Sequence, residues 1–458
     1  MVIVLSERPK SGAKSFRSPR PDAPRLLAYS VFSQVNREGA FANLTLPKAL
    51  ADSDLETRDK GFVTELVYGT LRMQGTYDWM ISQVIDRPFE EVDESIIDVC
   101  RLGLHQLFNM RVPTHAAVSA TVELARKVSG DSRASYINAL LRKLSAQTLE
   151  TWMHPVTLLK DPVERLAILH SHPEWIVSAY FDLLKNEELV EAALIANNVP
   201  ASPTFVAWPG RSTQQDLIDI GGTPLQYSLY GTTSVDIPTN VELIRKRLAG
   251  VQDEGSQLVV QVFANAAADQ RSWLDLCAGP GGKSALLSSL AQLSGKSFSA
   301  NEISQSRADL VAQVVVDTEL WVGDGRHFAA HGKKFGAILV DVPCTGIGAL
   351  RRRPEVRWRR TPKDLAELSN LQGELLQAAV DICEIGGLIA YVTCSPHLAE
   401  TKVQIASALR RDSRIEQMSV LPFLPEALSG AVIDGAMQLW THVHGTDAMF
   451  MALLRRVS

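Results

Sequence analysis

Short apolar runs recur through the C-terminal half at Trp273–Cys277, Ser297–Asn301, Leu320–Val322, Ala337–Asp341 and Leu388–Cys394. Stretches long enough for helices separate them. A strand buried on both faces reads as a continuous apolar run, and joining such strands in parallel needs a crossover, usually a helix. This spacing therefore predicts a mostly parallel, doubly wound sheet over 255–458, covered on both faces. Ser304–Val316 and Leu365–Cys383 are expected among the covering helices. No internal repeat of fixed period is visible.

Residues 25–150 read differently. Leu27, Val31 and Val35 repeat at helical spacing, as do Ile97, Cys100, Leu104 and Leu107. Val118, Val122, Ala125 and Val128 form a third stripe, and Ile137, Leu140, Leu141 and Leu144 a fourth. Pro47, Pro88, Pro113 and Gly130 are expected to fall between helices. Such stripes predict a helical core and no chemistry. From about 155 to 250 the reading is a small α+β module. A helix is expected to follow Ser171-His172-Pro173-Glu174-Trp175, and short strands at Thr204–Trp208 and Thr232–Ile237. The expected division is 1–21 a basic, disordered leader, 22–150 helical, 151–250 linker module, and 251–458 the sheet domain.

Composition narrows the function. A chain of 458 residues suggests about three domains. The net charge of −5 excludes a generally basic nucleic-acid coat, so any polyanion site must be local. Five cysteines without a Cys-x-x-Cys argue against a disulfide framework and a cysteine zinc site, and for a reducing, cytoplasmic setting. No apolar run approaches the roughly 18 residues of a membrane helix, and Val2–Leu5 is too short for a signal-peptide core. His170-x-His172 and His442-x-His444 lack the further ligands that would complete a metal set, so no metal is expected.

The chemistry-bearing residues gather at strand ends. Cys277-Ala278-Gly279-Pro280-Gly281-Gly282-Lys283 lies where a strand gives way to a helix. Small residues there let backbone N–H groups approach a ligand beside a helix N-terminus. Glu302 follows the next strand, where a carboxylate can hold ribose hydroxyls, and Asp324 the one after. Together they describe a nucleoside-bearing cofactor. Cys344, in Asp341-Val342-Pro343-Cys344, and Cys394, in Thr393-Cys394-Ser395, directly follow apolar strands, the placement of working thiols. Cys100 and Cys383 lie on helical stripes and read as structural. Beyond Cys344, Arg351, Arg352, Arg353 and Arg357 surround Trp358, a pattern suited to phosphate contact and base stacking.

These motifs, in this order, resemble the RNA cytosine-5 methyltransferases that use S-adenosylmethionine. Arg351–Trp358, His444-Gly445-Thr446-Asp447 and Val251–Gln257 are similar to the bacterial small-subunit ribosomal RNA branch, the Sun/Fmu type. The helical half resembles a NusB-type RNA-binding domain. The implied fold is a Rossmann-like class I methyltransferase domain behind an all-α domain and the α+β module. The implied reaction is methylation of cytosine C5 in RNA, most naturally 16S ribosomal RNA, through a covalent bond between cysteine and C6. By resemblance Cys394 is the nucleophile and Cys344 assists release. Asp341 bonds either the cytosine or the adenine edge of the cofactor, and Lys283 favours a thiolate. Arg307 joins the 277–283 loop, Glu302, Asp324 and Asp341 in the cofactor group. Gly279 and Glu302 depart from the Ala and Asp common in the family, and Ala448 from a common Gly. Residues 190–250 match only loosely. A monomer acting on RNA, without membrane, is expected. The rivals are a transfer RNA methyltransferase with the same site and a non-enzymatic RNA-binding or antitermination factor. Retention of both cysteines, Lys283 and the acids argues against the latter. A DNA cytosine methyltransferase would use one cysteine, in Pro-Cys, and an NAD oxidoreductase would leave the pair idle.

Overall fold

The computed structural model describes residues 21–458 except Ile237. The expected leader lies outside the described residues up to position 20. Arg25, in the first helix, donates from Nε to Gln106 Oε1 at 2.7 Å. The chain divides into two compact units after Pro155.

The first unit is helical: α1 (Ala23–Arg37), α2 (Ala42–Ala51), α3 (Thr57–Ser82), α4 (Glu94–Phe108), α5 (Thr114–Ser129) and α6 (Asp131–Leu144), before α7 (Leu149–Thr157) leads onward. Asp22 and Asp93 cap α1 and α4 by accepting from Arg25 N and Ser95 N. The apolar stripes face inward, with Val31 and Val35 in one core cluster and Ile97, Cys100, Leu104, Ile137 and Leu141 in another. One expectation needs correcting. Pro47 does not separate helices but lies inside α2, where it forgoes a single helical N–H in a short, surface-lying helix.

The second unit opens with α8 (Pro162–Leu169), α9 (Glu174–Leu184) and α10 (Glu187–Asn198). A three-stranded antiparallel sheet follows, β1 (Thr204–Ala207) between β2 (Gly231–Thr233) and β3 (Ala249–Val251), with α11 (Gln214–Asp219) and α12 (Glu242–Arg245) beside it. The expected strand Thr232–Ile237 stops at Thr233. Ser234 turns its hydroxyl to the Asp236 carbonyl, a local bond that competes with a ladder.

The catalytic-type sheet is built from β4 (Ser272–Asp275), β5 (Ser297–Glu302), β6 (Thr318–Val322), β7 (Phe335–Asp341) and β8 (Cys383–Thr393), parallel in the order β6-β5-β4-β7-β8. Helices α13 (Glu254–Ala266), α14 (Gly282–Leu293), α15 (Gln305–Ala312), α16 (Val356–Arg359), α17 (Pro362–Ile382) and α18 (Lys402–Arg411) accompany it. The sequence reading missed the antiparallel extension. Strands β9 (Ile415–Met418), β10 (Val432–Ile433) and β11 (Ala436–Gln438), then α19 (Thr441–His444), precede β12 (Phe450–Arg456), which pairs with β8, β9 and β11. Side chains alternate across the sheet as a period of two requires. Ala337 and Leu339 pack into the cluster with α13 and α14, whereas Ile338 and Val340 pack into the one with α17. Among the described residues, no helix is long and apolar enough to cross a membrane.

Candidate active site

Strand β4 lies between β5 and β7, so its neighbouring connections leave on opposite sides and open a crevice at the strands' carboxyl ends. Asn301 ties this edge together, its Nδ2 donating to the carbonyls of Leu276 and Gly323 at 3.1 Å each. The loop from Cys277 to Lys283 rests against it. Ala278 N donates to Asn301 O, and Gly281 turns back to Ala278 O in a left-handed conformation of φ 105°. A Cβ at Gly281 would also stand 2.8 Å from Val314. Glycine satisfies both demands. Buried Glu302 accepts from Gly279 N at 3.0 Å and Ser304 N at 2.9 Å, and pairs with Arg307 at 2.5 Å. Two residues past the end of the next strand stands Asp324, whose hydrogen bond and ion pair with Arg326 lower its carboxyl. These strand-end carboxylates and the backbone-lined cradle fit a nucleoside-bearing cofactor.

Deeper in the crevice stand the two cysteines, both free, with sulfurs 3.3 Å apart. Lys283 reaches Asp341 Oδ2 at 2.7 Å. Burial alone would lower the Lys283 ammonium, but the Asp341 charge and hydrogen bond more than offset it, so the net direction is upward. The hydrogen bond from Cys344 lowers the Cys394 thiol, helped by the Lys283 and Arg353 charges against burial and Asp341. The same bond, with burial, raises Cys344. The pair is thus biased, with Cys394 the more acidic thiol and Cys344 the less acidic one. Cys277 is different, since burial and the surrounding carboxylates raise it well above the ordinary range. Burial also pushes Cys100 and Cys383 up to about 12, as structural thiols should be.

The arginine loop is a correction. Arg351 pairs with Asp253 at 2.6 Å and Asp447 at 3.1 Å, and Arg352 pairs with Asp447. Both carboxylates are almost wholly buried. Arg357 is completely buried, donating to Ser171 O at 3.0 Å and Asn198 Oδ1 at 2.7 Å. Arg351 and Arg357 so engaged hold the loop from within, while Arg352 keeps 35% of its side chain exposed. Arg353 remains exposed and Trp358 half-buried. Three of the four paired histidines make hydrogen bonds: His170 with Glu191, His172 Nδ1 with the His170 carbonyl, and His444 with Trp440 N.

Comparison with known proteins adds a lineage to this geometry. Residues 261–455 match the family of the 16S rRNA methyltransferases RsmB/F, and residues 22–146 match the NusB family. A Mycobacterium tuberculosis protein named only as a methyltransferase is 41% identical over 455 residues, spanning 96% of this chain and 99% of its own. The ribosomal RNA small subunit methyltransferase B of Pseudomonas syringae pv. tomato is 31% identical over 453 residues, spanning 95% and 97%. The chain belongs to the RsmB/F family. As a family member it is an S-adenosylmethionine-dependent ribosomal RNA methyltransferase. The crystal structure of PH0851 shares the fold at a TM-score of 0.79 and 19% identity, covering 96% of this chain and all of that one.

For an RsmB/F enzyme, the sequence reading left out several residues that hold the site. Gly348 N donates to Cys394 O at 2.9 Å, while Gly348 O accepts from Ala448 N. A Cβ there would lie 2.2 Å from Ala448 O and 2.7 Å from Cys394 O. The signal available was the Gly346-Ile347-Gly348 spacing, separated from Cys344 by one residue. Thr345, Gln372 and Glu400 carried no comparable signal, because a polar residue inside a helix or turn reads as surface.

Proposed function

We propose that this chain methylates C5 of a cytosine in 16S ribosomal RNA through a covalent intermediate on Cys394. The thiol pair supports this reading: two sulfurs 3.3 Å apart, Cys394 with its acidity raised, beside the Lys283–Asp341 ion pair. Cytosine C5 is a poor nucleophile. Addition of the Cys394 thiolate to C6 pushes an electron pair toward N3 and leaves C5 enamine-like. When bound, S-adenosylmethionine supplies an electrophilic sulfonium methyl, which C5 takes. A base then removes the C5 proton, the C–H electron pair restores the C5–C6 double bond, and Cys394 leaves as thiolate. Cys344 serves this second stage by donating its S–H to the departing sulfur.

In this reading Glu302 orders the cofactor loop through Gly279 N and faces the ribose, and Asp324 lines the same pocket with Arg307, Cys277, Ala278, Pro280, Gly281 and Gly282 around it. Asp341, engaged by Lys283, acts near the thiols. Arg353 and Trp358 take the RNA contacts within the 351–358 loop, while the helical unit, like other NusB-type domains, adds RNA affinity. Mapping 5-methylcytosine in ribosomal RNA from cells with and without the gene tests the proposal. A 16S position should lose its methyl group and regain it with the wild-type gene but not with Cys394→Ala. An unchanged map would overturn the assignment.

A further inference from the structure

Glu400 is wholly buried, and no ion pair to it occurs among the described residues. A carboxylate out of water without a cation is costly unless hydrogen bonds replace its hydration. Here donors converge on it. Thr345 N donates to Oε1 at 2.8 Å and Gln372 Nε2 to the same oxygen at 2.9 Å, while the Thr345 hydroxyl donates to Oε2. Gln372 Nε2 also reaches the Pro343 carbonyl at 2.9 Å. The chain is therefore gripped on both sides of Cys344. The Thr345 hydroxyl lies 3.2 Å from Ser395 Oγ, next to Cys394, and Tyr391 OH fixes Glu400 by donating to its backbone carbonyl at 2.8 Å.

We propose that Glu400 is a positioning residue that sets the spacing of the two active-site thiols. It touches neither sulfur. It holds Thr345 by both its N–H and its hydroxyl, and Thr345 in turn meets the residue following Cys394. The Cys344-to-Cys394 hydrogen bond is a geometric product of that clamp. The inference rests on the reading of Cys394 as nucleophile. The charged and titratable groups whose influence reaches Cys394 are Cys344, Asp341, Lys283, Arg352 and Arg353, and those reaching Cys344 include Glu400 and Asp341.

The test is alkylation of Cys394 by iodoacetamide across pH in the full-length protein, read at the Cys394 peptide by mass spectrometry. Glu400→Gln keeps the shape but turns a donor toward Thr345. Its Cys394 profile should move up by about one pH unit, close to tenfold less thiolate at neutral pH, with cofactor affinity retained. Thr345→Val keeps the carboxylate and removes only the hydroxyl. It should move the profile the same way by less, and it decides the matter if Glu400→Gln does not fold. Profiles coincident with wild type in the folded variants overturn the clamp. The parent reading is tested separately: RNA adducts that persist in Cys394→Ala would refute the nucleophile, whatever the alkylation profiles show.

Discussion

At the scale of single residues, Gly279 and Glu302 explain each other. A Cβ at Gly279 would stand 2.1 Å from Glu302 Oε2. The longer carboxylate fits because the residue facing it has no side chain, so two departures from the common Ala and Asp amount to one exchange of volume. Gly279→Ala should therefore weaken S-adenosylmethionine binding by about 1–3 kcal/mol, through loss of the Gly279 N bond, and Glu302→Asp in the same protein should restore much of it. Titration calorimetry on the single and double variants reads this; a double variant no better than Gly279→Ala would refute the exchange. Asp275 makes a second prediction. Burial pushes its carboxyl up from 3.8 to about 7 against the Ser284 hydrogen bond. The folded state then holds a proton that the unfolded state has released, so stability falls as pH rises from about 4 to 7. Asp275→Asn removes that slope. Its melting temperature should gain on wild type at pH 7.5 relative to pH 5, and parallel shifts at both would contradict the burial account.

At the scale of elements, the arginine loop is a strut. Removing Arg351 or Arg352 leaves Asp253 and Asp447 buried with less compensation, a loss of about 3–5 kcal/mol. Arg353→Ala, on the exposed side, should leave the melting temperature alone and lower the salt slope of RNA binding by about one unit. Chemical denaturation and RNA titrations at several salt concentrations separate the two; equal stability of Arg351→Ala and Arg353→Ala would contradict the strut. The same loop shows how far the sequence could be read. Strand β7 and the end of β8 were legible because residues buried on both faces form unbroken apolar runs, while β6 at the sheet edge has no fully buried residue and showed only its apolar end; the strand ends located both thiols and the 277–283 loop. The arginines misled because charge in a turn reads as solvated, and only the distant Asp253 and Asp447 reveal the pairing. Strands β9 to β11 escaped because two- to four-residue strands beside turns carry too few residues to show alternation. Pro47 misled because a local rule about proline was applied to a helix whose end lies four residues later.

At the scale of the whole molecule, both thiols, Lys283, Asp341 and the candidate cofactor cradle lie within the unit 156–458. That unit, expressed alone, should bind S-adenosylmethionine with the affinity of the full chain while losing RNA affinity; calorimetry and RNA titration of the truncated protein check both, and undiminished RNA affinity would remove the helical unit from recognition. In the proposed reaction one thiol is needed before methyl transfer and the other after it. A denaturing gel with labelled RNA and cofactor tests it most directly. Cys394→Ala should abolish both methyl transfer and adduct, whereas Cys344→Ala should still attack, transfer the methyl group and then accumulate an RNA adduct that survives denaturation. An adduct from Cys394→Ala but none from Cys344→Ala would reverse the roles, and none from any variant would contradict covalent catalysis in this protein.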